Sequence, residues 1–320
     1  MGRAKSPMSR RIRTLLLASA AVFAASTFVP ASAATMSAKA SDSVSTVSAP
    51  KLSVIQSTAT PHVYAQDPND HSLWQWSGTV NQWSRISDGN VDKIYASGSS
   101  VWLTQASTGD VYQYNGSPYS WKRIGGPGGQ FAAGGGHLYA LSPDYGMVLM
   151  WTGSQWTAIG GAAQHIYAGG LGLFATDPIS GDIYLYSGSA YVWSKVGGAG
   201  ATFAVSNTTL YGLSSDGSGV YQWTGAQDWA QVGGAATRIF AGGADLFATA
   251  PSGVVGVGDL YHYNSIPFNW TDTTKVGCLV VAETNTASYC VNDAGVYRWN
   301  GGSNTWTRIG GPAANLAAGS

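Results

Sequence analysis

The sequence predicts an all-β fold: a seven-bladed β-propeller of four-stranded antiparallel blades, closed by the C-terminal strand completing the first blade. Three observations lead there. A tryptophan-centred motif recurs along the chain, each period holds four short strand-like runs, and the last residues supply a run that the first unit lacks.

The motif is a Trp followed three residues later by Ile or Val and then usually by Gly-Gly. It occurs at Trp83, Trp121, Trp156, Trp193, Trp229, Trp270 (degenerate, WTDTTKVG) and Trp306, at intervals of 38, 35, 37, 36, 41 and 36 residues. That period falls in the range of solenoids and propellers. The unit after Trp156 shows its anatomy. Ile166-Tyr167-Ala168 runs into Gly169-Gly170, and Leu173–Thr176 into a turn from Asp177 to Gly181. Ile183–Tyr186 then runs into Ser187-Gly188, and Trp193–Val196 into Gly197-Gly198. Each run is too short for a helix, and the Gly, Asp, Ser and Pro between them favour antiparallel hairpins. Gly 43 beside Trp 13 and Tyr 17 fits tight turns alternating with half-buried strands.

Residue types agree with position in a ring. The first run carries a small or slender third residue (Ala96, Ala133, Ala168, Val205, Ala241, Ala282, Ala318), as strands converging on an axis require. The third run carries aromatics two apart, such as Trp74/Trp76, Tyr184/Tyr186, Tyr221/Trp223 and Tyr261/Tyr263. Spacing of two puts each pair on one sheet face, ready to pack between blades. Before His62–Ala65 no first run exists, whereas the chain ends in Asn315-Leu316-Ala317-Ala318-Gly319. That run completes the first blade and leaves no open edge at the seam.

Residues 1–33 read as a secretory signal peptide, giving a secreted, extracellular protein. Arg3, Lys5, Arg10, Arg11 and Arg13 precede an apolar run from Leu15 to Val29, and Ala31-Ser32-Ala33 is a cleavage site. The apolar run is shorter than the ~18 residues of a membrane span. Residues 34–52, rich in Ser and Ala, read as a flexible linker, and 53–320 as the propeller. In an exported chain the two cysteines, Cys278 and Cys290, suggest a disulfide across a hairpin centred on Glu283-Thr284-Asn285.

Charge and motif content exclude several functions. Only 10% of residues are charged and the formal net charge is zero, so the basic stripe of a nucleic-acid binder is missing. Fifteen of the sixteen acids are Asp, spread over turns; Glu283 is the single Glu, with no matching acid in its register. Turn-forming accounts for the Asp residues better than calcium binding, which needs several closely spaced oxygens. His62, His71, His137, His165 and His262 form no ligand or catalytic spacing. No catalytic residue, metal or cofactor is therefore expected, and the chain reads as no enzyme. The turns before the outer tryptophans offer the aromatic, amide and hydroxyl groups that bind sugars. Candidate ligand-binding residues there are Asn81, Tyr119, Gln155, Tyr191, Asp228, Asn269 and Asn304. The tryptophans themselves, by their strict recurrence, read as packing anchors.

An aromatic-rich strand, W-x-x-I-G-G, then φ-x-A-G-G and L-[YF]-A, as in Trp156–Ala175, resembles the tectonin and tachylectin-like propeller lectins over roughly residues 61–320. Kelch propellers are a lesser likeness, through Gly-Gly and a downstream Trp. The first resemblance implies a non-catalytic, multivalent carbohydrate binder whose partners are glycans or glycoconjugates, acting as a monomer. A protein–protein interaction propeller is the alternative, and a polysaccharide-active enzyme the third reading.

Overall fold

The structure, a computed structural model, describes residues 62–243, 245–251, 259–273 and 277–319. The expected signal peptide, the expected linker and the first residues of the expected propeller lie outside them. Among the described residues there is no helix, and so none long and apolar enough to cross a membrane.

Seven four-stranded antiparallel sheets follow one another in chain order. Blades 2 to 7 begin with the inner strands Val91–Ser97, Gln130–Gly134, His165–Gly169, Gly200–Val205, Arg238–Gly242 and Val280–Glu283. Blade 1 takes its inner strand from the other end of the chain. Asn315–Ala318 pairs antiparallel with Val63–Gln66, which pairs with Leu73–Trp76, which pairs with Trp83–Ser87. Ala65 stands opposite Leu316, and the Gly319 amide donates to the His62 carbonyl at 2.8 Å. The expected closure is present.

The core is not one mass but seven seams, each an apolar cluster shared by two adjacent blades. The repeat motif explains how each seam is fastened. The indole of an outer-strand Trp donates to the carbonyl of the Ile or Val that ends the previous blade's motif. Trp83 reaches Ile309 at 3.0 Å, Trp121 reaches Ile86 at 2.9 Å, and Trp156 reaches Ile124 at 2.8 Å. Trp193, Trp229 and Trp270 do the same to Ile159, Val196 and Val232. The counterpart for Trp306 would be Val276, outside the described residues. The glycine after the Ile or Val is then a steric requirement, because a Cβ on Gly197 would sit 2.6 Å from the Trp229 indole nitrogen. In blades 1, 2, 4, 6 and 7 the second aromatic of the third-strand pair backs this anchor, as Tyr186 does on Trp193 with ring centroids 5.1 Å apart; in blade 5 Phe203 takes that place against Trp229. The outer tryptophans are packing anchors, as their recurrence implies.

Cys278 and Cys290 are joined, with Cα atoms 5.7 Å apart. The register differs from a symmetric hairpin, however. Val281, not Cys278, stands opposite Cys290, and the turn runs over residues 284–287. The bridge therefore ties the approach to blade 7 onto its second strand.

Candidate functional site

Among the described residues, at least four cavities open between blades, and these four are copies of one design. Each is bounded by the Gly-Gly link leaving one blade and by the second, third and outer strands of the next. In chain order of the receiving blade they belong to blades 1, 4, 5 and 6, with volumes of about 190, 170, 350 and 210 Å³. Each wall is the first aromatic of the third-strand pair, half-buried: Trp74, Tyr184, Tyr221 or Tyr261. The outer tryptophan of the same blade lines the floor: Trp83, Trp193, Trp229 or Trp270.

Cross-strand pairing accounts for the shape of these four grooves. The aromatic stands opposite a small residue on the second strand: Ala65 with Trp74, Ala175 with Tyr184, Gly212 with Tyr221, and Ala248 with Tyr261. A large side chain beside a very small one on the same face leaves a notch. Blades 2, 3 and 7 pair differently at this position. Blade 2 sets Leu103 against Tyr112, blade 3 sets Ala140 against Leu149, and blade 7 sets the disulfide-bonded Cys290 against Tyr297. The roomiest groove, in blade 5, has Gly212 where the others have Ala, and adds Phe203 to its lining.

Polar groups line three of the grooves at the ends of their second strands and in the turns that follow. Gln66 and Asp67 line the groove of blade 1, Thr176 and Asp177 that of blade 4, and Ser214 and Ser215 that of blade 5. The turn carboxylates are committed to backbone. Asp177 Oδ1 accepts from the Ile179 and Ser180 amides at 2.9 and 2.8 Å, which holds its carboxyl below the ordinary carboxylate range. In blade 5, the Ser218 amide and hydroxyl and the Ser214 hydroxyl bring Asp216 down to about 2. Other turn acids pair across to the outer strand, Asp110 with Arg123 at 2.7 Å and Asp182 with Lys195 at 2.6 Å.

The seven residues singled out from the sequence lie elsewhere. Asn81, Tyr119, Gln155, Tyr191, Asp228, Asn269 and Asn304 are all exposed, at the turns between third and outer strands, and none lines one of the four grooves. Those turns stand at the opposite end of their own sheets from the second-to-third-strand turns. The groove signal that sequence reading missed is the small residue on the second strand, which register alone pairs with the aromatic.

A second departure concerns ionisable groups. Glu283, solitary in sequence, meets the Asp245 carboxylate in the fold. It occupies the inner-strand position held by Ser97, Gly134, Gly169, Ser206, Gly242 and Gly319 in the other blades, and it is buried. Burial, then the Asp245 carboxylate, raise its carboxyl well above the ordinary value, against a smaller pull from the Gly242 amide. Asp245 pairs with His262 Nε2 at 2.9 Å and accepts from Ser288 Oγ at 2.7 Å. The His262 contact, opposed by burial, holds Asp245 below its ordinary value. Tyr211 beside them is pushed up to about 12, chiefly by burial. This cluster lines none of the four grooves.

Glu283 has a consequence for stability. The folded state holds its proton more tightly than the unfolded chain, so its contribution is complete below about pH 4.5 and is lost as pH rises toward the raised native value. Denaturant melts of the wild type are expected to lose up to about 1.4 kcal/mol per pH unit across that window. Glu283→Gln removes this slope. Equal slopes in the two proteins would contradict the assignment.

No known family profile and no curated protein matches the chain. Solved structures do. YCF48 from Cyanidioschyzon merolae aligns with 17% identity and a TM-score of 0.46, covering 68% of this chain and 84% of that one. A chain of the nidogen/laminin complex aligns with 10% identity and a TM-score of 0.44, covering 70% and 96%. The GH74 xyloglucanase from Xanthomonas campestris aligns with 14% identity and a TM-score of 0.45, covering 72% and 42%. Fold alone does not assign a role.

Proposed function

We propose that the protein is an exported, non-catalytic, multivalent carbohydrate-binding propeller whose binding sites are the grooves of blades 1, 4, 5 and 6. The observation that carries this reading is the fourfold recurrence of one groove, each with a half-buried aromatic wall and three with hydroxyl, amide or carboxylate side chains in the lining. A sugar ring presents a C–H face and a rim of hydroxyls, and an aromatic plane beside polar groups complements both. At about 170–350 Å³ the grooves lie at or below the small end of the ~300–1,000 Å³ range of drug-sized pockets, the scale of one or two sugar rings. One such contact is weak. Several on a rigid ring engage a glycan-covered surface together, and avidity supplies the strength.

Catalysis would need convergent acid and base groups in an open cleft, and the grooves hold turn carboxylates already bound to backbone amides. An array of immobilised glycans tests the reading. Strong signal is expected at dense presentation, with a steep fall at sparse presentation. No binding at any density would refute it.

A further inference from the structure

Three exposed aromatics form a second surface, separate from the grooves. Tyr119, Tyr191 and Phe268 stand two residues before the outer Trp in blades 2, 4 and 6. Their backbones are left-handed, with φ of 63°, 62° and 61°, and the residues are 54%, 64% and 63% exposed. The turn itself demands that conformation, because the amide of each residue donates at 2.8 Å to the previous blade, to Ile86, Ile159 and Val232. Blades 1 and 7 meet the same demand with Asn81 and Asn304, the residue type that tolerates it best. A bulky ring there is a recurring steric cost, and with each residue more than half exposed, packing does little to offset it. Strain retained three times at one repeat position points to function.

We infer that Tyr119, Tyr191 and Phe268 are a three-point platform for the flat face of an insoluble, uncharged polysaccharide. The seven-fold repeat sets equivalent turns at one end of the ring, on every second blade, so the contacts are far apart rather than one contiguous patch. Widely spaced rings suit an extended periodic surface better than a globular partner. Pro118 and Pro267 precede two of them and limit the freedom lost on contact. Turn residues 115–120, 187–192 and 264–269 hold no charged side chain. Of the nearby lysines, Lys195 is paired with Asp182 and Lys122 lies 5.9 Å from the Trp151 ring centre. An anionic membrane or nucleic acid would call for free basic groups.

The test is co-sedimentation of the full chain with microcrystalline cellulose and with chitin powder, compared with the triple variant Tyr119→Asn, Tyr191→Asn, Phe268→Asn. The wild type is expected to bind at least one powder, and the variant to lose about tenfold or more of the affinity. Asn suits the left-handed turns, so the variant's melting temperature is expected to rise by about 2 °C or more. A structural role for the rings predicts a fall instead. Tyr221→Ala, which alters a groove and not the rim, keeps powder binding, so the two surfaces are read separately. The inference is overturned if the wild type sediments with neither powder, if it binds only phosphatidylcholine vesicles or a protein, if the triple variant binds equally well, or if lost binding accompanies a lower melting temperature.

Discussion

Deleting residues 315–320 is expected to abolish the folded ring. The strand Asn315–Ala318 is the inner strand of blade 1, and Leu316, Ala317 and Ala318 are buried. Leu316 sits in the seam cluster with Val63, Trp76, Tyr289 and Ile309, which joins blade 7 to blade 1. Without it, the four buried residues of Val63–Gln66 present an unpaired edge. Lost apolar burial and ladder hydrogen bonds together come to several kcal/mol, comparable with the ~5–15 kcal/mol that separates folded from unfolded states. Circular dichroism should show no cooperative melt for the truncated chain. Leu316→Ala is the graded version, costing about 2–4 kcal/mol by cavity formation. A truncated protein melting within 2 °C of the full chain would contradict the closure on which the ring depends.

The second large effect is on recognition. Replacing Trp74, Tyr184, Tyr221 and Tyr261 together by Ala is expected to abolish glycan-array signal, more than about a hundredfold, because each groove loses its stacking plane and avidity compounds the losses. Tyr221→Ala alone should lower monovalent affinity at its own groove by about tenfold, whereas Tyr221→Phe keeps the stacking face and most of the binding. The four side chains are half-buried, so the quadruple variant is checked for a cooperative melt before binding is read. A folded quadruple variant with signal within twofold of wild type would show that the grooves do not bind.

The scaffold was legible because its determinants are local and periodic. Trp-x-x-[Ile/Val]-Gly encodes a latch within a few residues, and Leu316-Ala317-Ala318-Gly319 could be recognised as a displaced inner strand by comparison with Ile166-Tyr167-Ala168-Gly169. The grooves were not legible, because their size depends on pairs such as Gly212 with Tyr221, brought together by register rather than by a shared motif. Glu283 looked isolated for the same reason. Asp245, paired with His262, approaches it from the neighbouring blade, and no local spacing announces that they will meet. The disulfide was correctly paired, yet its hairpin geometry was not, since the turn is longer than a symmetric midpoint implies.

The most direct measurement is a crystal of the protein soaked with the strongest-binding short oligosaccharide from the array. Sugar rings are expected against Trp74, Tyr184, Tyr221 and Tyr261, with the groove of blade 5 the best occupied because it is the largest. Sugar found only at the centre of the ring, or only on the turns before the outer tryptophans, would contradict the assignment of these grooves as the binding sites.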